Sequence, residues 1–161
     1  MHSLTCAIVT LSDRAYNGIY QDKSTDVAST ILTTRGHNVK EKVILPDDHK
    51  QLVTTLTRLS DVDNINLIIT TGGTGFSKRD ITPEATLEVA HRQAQGIAEA
   101  IRAFSMQITP KAMLSRGVAV IRGSTIIVNL PGSPKAVNEV LAYILPPLEH
   151  GAGILLGLED N

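Results

Sequence analysis

The sequence predicts an α/β domain with a mostly parallel central sheet, one antiparallel strand, and helices on both faces. Three observations carry this. Three apolar runs of strand length open the chain, helical apolar spacing lies between them, and two short apolar runs follow later on either side of a glycine turn. Strand, helix, strand, helix, strand at this spacing implies right-handed crossovers. The 161 residues, 42% hydrophobic and 19% charged, have the size and composition of one domain, taken as residues 1–161.

Residues 4–11 (LTCAIVTL) read as a strand covered on both faces, with Ser12-Asp13-Arg14 as the loop at its C-terminal end. Over residues 23–35, Val27, Ala28, Ile31 and Leu32 fall at helical spacing, and Gly36 stands where a helix C-cap belongs. Residues 39–45 alternate as a second strand. Pro46 then leads to Asp47 and Asp48, which can cap a helix whose inner face is Leu52, Val53, Leu56 and Leu59. Residues 65–69 (INLII) form the third strand, running through Thr70-Thr71 into Gly72-Gly73-Thr74-Gly75. Helices are expected over 83–92 and 97–107, broken at Gly96. A hairpin is expected from 118–121 and 126–130 about Arg122-Gly123-Ser124-Thr125, which makes the sheet mixed. Ser133 opens a helix running to about Leu145, where Pro146-Pro147 should interrupt it. Residues 148–158 are Gly-rich and weakly periodic.

Composition excludes several functions. Fifteen Lys plus Arg against sixteen Asp plus Glu give a net charge of -1, and aromatics are 3% with no Trp. Neither a phosphate-backbone footprint nor a base-stacking platform is present, so no nucleic-acid partner is expected. No apolar stretch reaches 18 residues, no secretory signal is evident at the start, and Cys6 is the one cysteine; no membrane partner is expected, and the reading is cytoplasmic.

Twice, a strand runs into a glycine turn and then a Pro-initiated helix. In the first instance GGTG is followed by Thr82 as expected N-cap and Pro83 at N1. In the second, Pro131-Gly132 precedes Ser133 as N-cap and Pro134 at N1. Glycine removes the Cβ shield from backbone amides and a helix N-terminus adds positive potential, so both segments suit phosphate. Such turns are also ordinary connecting chemistry. Neither nucleotide fingerprint fits: Gly75-Phe76-Ser77-Lys78 lacks the P-loop ending, and Lys78 stands where a Rossmann third glycine belongs.

Asp13, Asp47 and Asp80 each follow a strand or lie in a glycine loop, and parallel strands would bring all three to one crevice. Mg²⁺ is commonly held by one or two carboxylates plus substrate phosphates, which suits such a set. The rival readings are an N-cap for Asp47, a turn aspartate for Asp13 and a salt-bridged loop residue for Asp80. Lys78, Arg79 or Lys135 could neutralise oxyanions. Cys6 reads as a core thiol, and His2, His37, His49, His91 and His150 show no zinc spacing.

The segments TTGGTG at 70–75, RDITPEA at 79–85 and NLPGSPKA at 129–136 together resemble the molybdopterin-binding domain family. SDRA at 12–15 and GIYQDK at 18–23 are similar to its MogA-type adenylyltransferases, relatives of the gephyrin G domain. The resemblance implies a three-layer α/β domain, usually a homotrimer, in which Mg²⁺ and ATP adenylylate molybdopterin with release of pyrophosphate. The product would then pass to a molybdate-inserting enzyme. By the same resemblance, Asp47 and Asp80 are the catalytic and metal-holding pair. Ser12, Asp13, Gly72, Gly73, Thr74, Gly75, Pro131, Gly132, Ser133 and Lys135 would bind substrate. A non-catalytic pterin carrier or scaffold is the alternative, and the chain's length is closer to the MoaB branch.

Overall fold

The computed structural model describes residues 2–160. Its sheet has six strands in the order β2-β1-β3-β6-β5-β4. The strands are β1 (Thr5–Leu11), β2 (Asn38–Leu45), β3 (Leu67–Thr71), β4 (Arg92–Gln93), β5 (Ala119–Arg122) and β6 (Thr125–Leu130). β1 pairs parallel with β2 and β3, and β3 pairs parallel with β6. β5 alone runs against its neighbours, as the hairpin reading required. β4 was not expected. It is two residues long and takes the end of the predicted 83–92 helix.

The helices are α1 (Asp13–Tyr16), α2 (Ser24–Thr34), α3 (His49–Asp61), α4 (Thr82–Val89), α5 (Gln95–Met106) and α6 (Pro134–Leu155). Alternation along the strands splits the core in two. Cys6, Ile8, Leu67, Ile69, Ile126 and Val128 pack on one face, with α2, α5 and α6. Ala7, Val9, Ile68 and Ile127 pack on the other, with α3 and α4. These are the three expected layers. Burial pushes the Cys6 thiol up to about 12, as befits a core residue.

Three local expectations are corrected. Ser12-Asp13-Arg14 is not a plain loop, because Ser12 caps the one-turn α1 by accepting from the Ala15 amide at 3.1 Å. Gly96 lies inside α5, and the break before it is β4. α6 runs straight through Pro146-Pro147. The two prolines remove the amides that would bond to the carbonyls of Ala142 and Tyr143, and both of those residues are exposed, so water can satisfy them. The opposite stripe, which includes Val140, Leu141, Ile144, Leu145 and Leu148, is buried and holds the helix in place.

Candidate active site

Four loops leave the carboxyl ends of the parallel strands β1, β2, β3 and β6. They gather where the chain order reverses about β1 and β3, the usual place for a ligand crevice in such sheets. The β3 turn is shaped by glycine. Gly72 and Gly73 have φ of +86° and +69°, and a Cβ on Gly72 would stand 2.5 Å from the Leu11 carbonyl oxygen. Because β3 and β6 are neighbours, the second turn lies against the first. The Gly72 amide donates to the Leu130 carbonyl at 3.2 Å, and a Cβ on Gly132 would lie 3.3 Å from the Gly72 Cα.

The amides of Gly73, Thr74, Gly75 and Phe76 donate to no protein acceptor among the described residues, nor do those of Gly132, Ser133 and Lys135. Orphan donors on adjacent turns are what an anion needs. Ser133 caps α6 as expected, accepting from the Ala136 amide at 3.1 Å. Thr82 does not cap α4. Ile81 occupies that position without a side-chain bond, while the buried Thr82 hydroxyl donates to the Gly72 carbonyl at 2.9 Å and ties turn to helix. The Thr82 amide donates back to the Gly73 carbonyl at 3.1 Å and Pro83 has no N–H, so the first turn of α4 is bound to the glycine turn rather than open to it.

The three aspartates do come together. The Asp13 amide donates to Asp47 Oδ2 at 3.2 Å, and the Asp47 amide donates to Asp13 Oδ1 at 2.9 Å. Asp48, not Asp47, caps α3, accepting from the Gln51 amide at 2.9 Å. Asp47 Oδ1 is buried with no hydrogen-bond partner among the described residues. It lies 3.3 Å from where a Cβ on Gly73 would sit, and Asp80 Oδ2 lies 2.9 Å from the same point on Gly75. Burial, with the charges of Asp13 and Asp80 nearby, pushes the Asp47 carboxyl above the ordinary aspartate range. Among the described residues Asp80 joins no salt bridge; its Oδ2 accepts from the Ser77 amide at 3.0 Å.

Arg79 is already committed. Its guanidinium makes a two-pronged contact to Asp13, at 3.0 and 3.1 Å, and holds that carboxyl below the usual range together with the Asp47 amide. Lys78 and Lys135 are exposed and join no ion pair among the described residues. Arg116 is the residue that sequence reasoning missed. Its Nε donates to the Gly75 carbonyl at 2.7 Å, its Nη2 donates to the Asp80 carbonyl at 3.0 Å, and its Nη1 pairs with Glu84. Nothing in its Ser-Arg-Gly surroundings signals this, because its targets are main-chain oxygens far back in the chain.

The carboxylates fit a divalent cation that is shared with phosphate. The unpartnered Asp47 Oδ1 beside the amide-lined turn has no other use for its charge. Among the described residues no three His, Cys, Asp or Glu side chains gather as a cage of protein ligands alone. That pattern suits a cation completed by substrate oxygens.

Fold and site together define a class: an α/β domain with two amide-lined glycine turns and a carboxylate pair at the carboxyl edge of its sheet. The chain belongs to the family described as "Probable molybdopterin binding domain", which matches over residues 7–150. It is 42% identical over 144 residues to the Escherichia coli K12 protein named molybdopterin adenylyltransferase, covering 88% of this chain and 73% of that one. It is 36% identical over 159 residues to the protein of the same name from Helicobacter pylori 26695, covering 98% and 90%. A solved structure titled as the molybdopterin biosynthesis enzyme MoaB of Thermus thermophilus superposes with a TM-score of 0.91. It is 39% identical and covers 96% of this chain and 97% of that one.

Proposed function

We propose that this protein is a molybdopterin adenylyltransferase of molybdenum cofactor synthesis. The observation that carries the reading is the pair of touching glycine turns with Asp47 and Asp80 flanking the first of them. The likeness to proteins named for this activity supports it.

In the reaction, an oxygen of the terminal phosphate of molybdopterin bonds to the α-phosphorus of ATP, the α–β bridging bond breaks, and pyrophosphate leaves. Mg²⁺, when bound with ATP, offsets charge on the transferring group and the leaving pyrophosphate. The amides of Gly73, Thr74 and Gly75 hold one phosphate, while Gly72, its own amide bonded to the Leu130 carbonyl, shapes the turn; the Pro131, Gly132, Ser133 and Lys135 turn holds another. Asp47 and Asp80 would hold the cation, while Ser12 and Asp13 line the same pocket. No side-chain nucleophile is required.

The test is incubation with molybdopterin and labelled ATP in Mg²⁺. Adenylylated pterin and pyrophosphate are expected in equal amounts. Retained pterin without product would establish a carrier instead. The same reading makes the protein a cytoplasmic homotrimer that hands its product to a molybdate-inserting enzyme. A monomer mass in sedimentation equilibrium at micromolar concentration would overturn the trimer.

A further inference from the structure

Arg116 occupies a specific place behind the first glycine turn. Three carbonyls converge on this one residue: those of Gly75 and Asp80 on its guanidinium, and that of Thr74 on its main-chain amide at 2.8 Å. The described residues contain no cis peptide bond. In a trans peptide the carbonyl and the amide that follows it point in opposite directions. With the three oxygens drawn toward Arg116, the amides of Gly75, Phe76 and Ile81 are turned away from it, and none of them bonds to another of the described residues. The same grip ties Asp80, five residues along, to Gly75. Glu84, in the first turn of α4, pairs with the third guanidinium nitrogen and fixes the orientation of the fork.

We propose that Arg116 is a positioning residue: by gripping the Gly75 and Asp80 carbonyls it aims the amides of this turn at a ligand phosphate and sets the position of the Asp80 carboxylate. The proposal rests on the phosphate reading of the turn and assigns that site its rigid backing. A planar fork presents its donors at fixed positions and angles, whereas the three donors of a lysine ammonium sit on one rotatable centre and fix no such geometry. The role is therefore one of geometry rather than of charge.

The experiment uses the full chain with inorganic pyrophosphate as probe, following affinity by calorimetry and the 73–76 amides by NMR. Arg116→Ala is expected to weaken pyrophosphate about tenfold or more, the scale of losing several charge-assisted bonds that order the turn. Arg116→Lys is expected to weaken it nearly as much despite keeping the charge. Methylguanidinium should restore affinity to the Ala variant and leave the Lys variant unchanged, because lysine fills the slot. Affinity of Arg116→Ala within twofold of the parent overturns the proposal, as does an Arg116→Lys variant equal to the parent. Loss in the Ala variant that methylguanidinium does not restore marks a merely structural residue and also overturns it. If pyrophosphate leaves the 73–76 amides of the parent unmoved, the phosphate reading itself falls, and the two failures are thereby told apart.

Discussion

Asp13 and Asp47 orient each other reciprocally, each main-chain amide donating to the other's carboxylate across the ends of β1 and β2. The pair closes a small ring that leaves Asp47 Oδ1 facing the first glycine turn. Arg79 backs the ring from the Asp13 side.

Asp13 should accordingly matter through Asp47. Asp13→Ala removes the acceptor for the Asp47 amide and frees Arg79. Turnover is expected to fall roughly 10-fold to 100-fold, the usual scale for a catalytic group moved by a fraction of an ångström or more. Asp13→Asn keeps an oxygen for the Asp47 amide and should lose less. Steady-state kinetics on both variants checks the order, and equal losses would contradict it.

Asp80 should act on the transition state. Asp80→Asn keeps the shape and an oxygen for the Ser77 amide but removes the charge that, on the proposed function, would hold the cation. Loss of one preorganised electrostatic partner typically costs on the order of 10² to 10³ in turnover. Pterin affinity, resting mainly on neutral amides, should change little. Turnover within threefold of the parent would leave Asp80 as an ordinary loop residue.

Asp47 should show the opposite sign in stability. Its buried, unpartnered oxygen and its nearness to Asp13 and Asp80 disfavour the charged form in the free protein. Asp47→Asn is expected to stabilise the free protein by about 1 kcal/mol, a Tm rise of roughly 2–4 °C for a domain of this size. The same variant should lose turnover on the scale of Asp80→Asn. Calorimetry and kinetics on one preparation check both, and a lower Tm would refute the first.

Acid stability should depend on Glu149, at the far end of α6. Its side chain is 9% exposed. Burial pushes its carboxyl up, but hydrogen bonds from Arg35 and His37 outweigh this and hold it below the ordinary glutamate range. The Leu4 amide donates to His37 Nδ1 at 3.2 Å, so Nε2 carries the proton and donates to Glu149 at 2.8 Å. A depressed carboxyl stabilises the fold fully above the unfolded-state value, and the stability is lost as pH falls through the folded one. Urea midpoints measured from about pH 6 down to pH 3 should therefore drop, and Glu149→Gln should flatten that slope. An unchanged slope would exclude the cluster.

The parts of the site that could be read from the sequence are those made by neighbours in the chain. TTGGTG and PGSP declare themselves because each combines a strand end, a glycine turn and a proline-started helix within about ten residues. The meeting of Asp13, Asp47 and Asp80 followed once the strands were taken as parallel. The Asp47 and Asp48 alternatives were not separable, because either could cap α3 until the Asp13 ring took one of them. Arg116 stayed hidden because its partners lie 32 to 41 residues back, two of them main-chain carbonyls that any sequence supplies. β4 was hidden because two residues carry no period, and the course of α6 because a double proline reads as a stop unless its outward placement is known.

The contact between Gly72 and Gly132 gives the site a fixed gauge. Adjacent strands stand about 4.8 Å apart, and the two turns inherit that separation directly, main chain against main chain. A ligand bridging them must carry its anionic groups at a matching interval, so linked phosphates fit and widely spaced ones do not. At the Gly72–Gly132 contact no side chain stands between the turns to be lengthened or shortened. On the proposed function, selectivity for the spacing would be built into the sheet, while the outer loops would be free to vary what the phosphates are attached to.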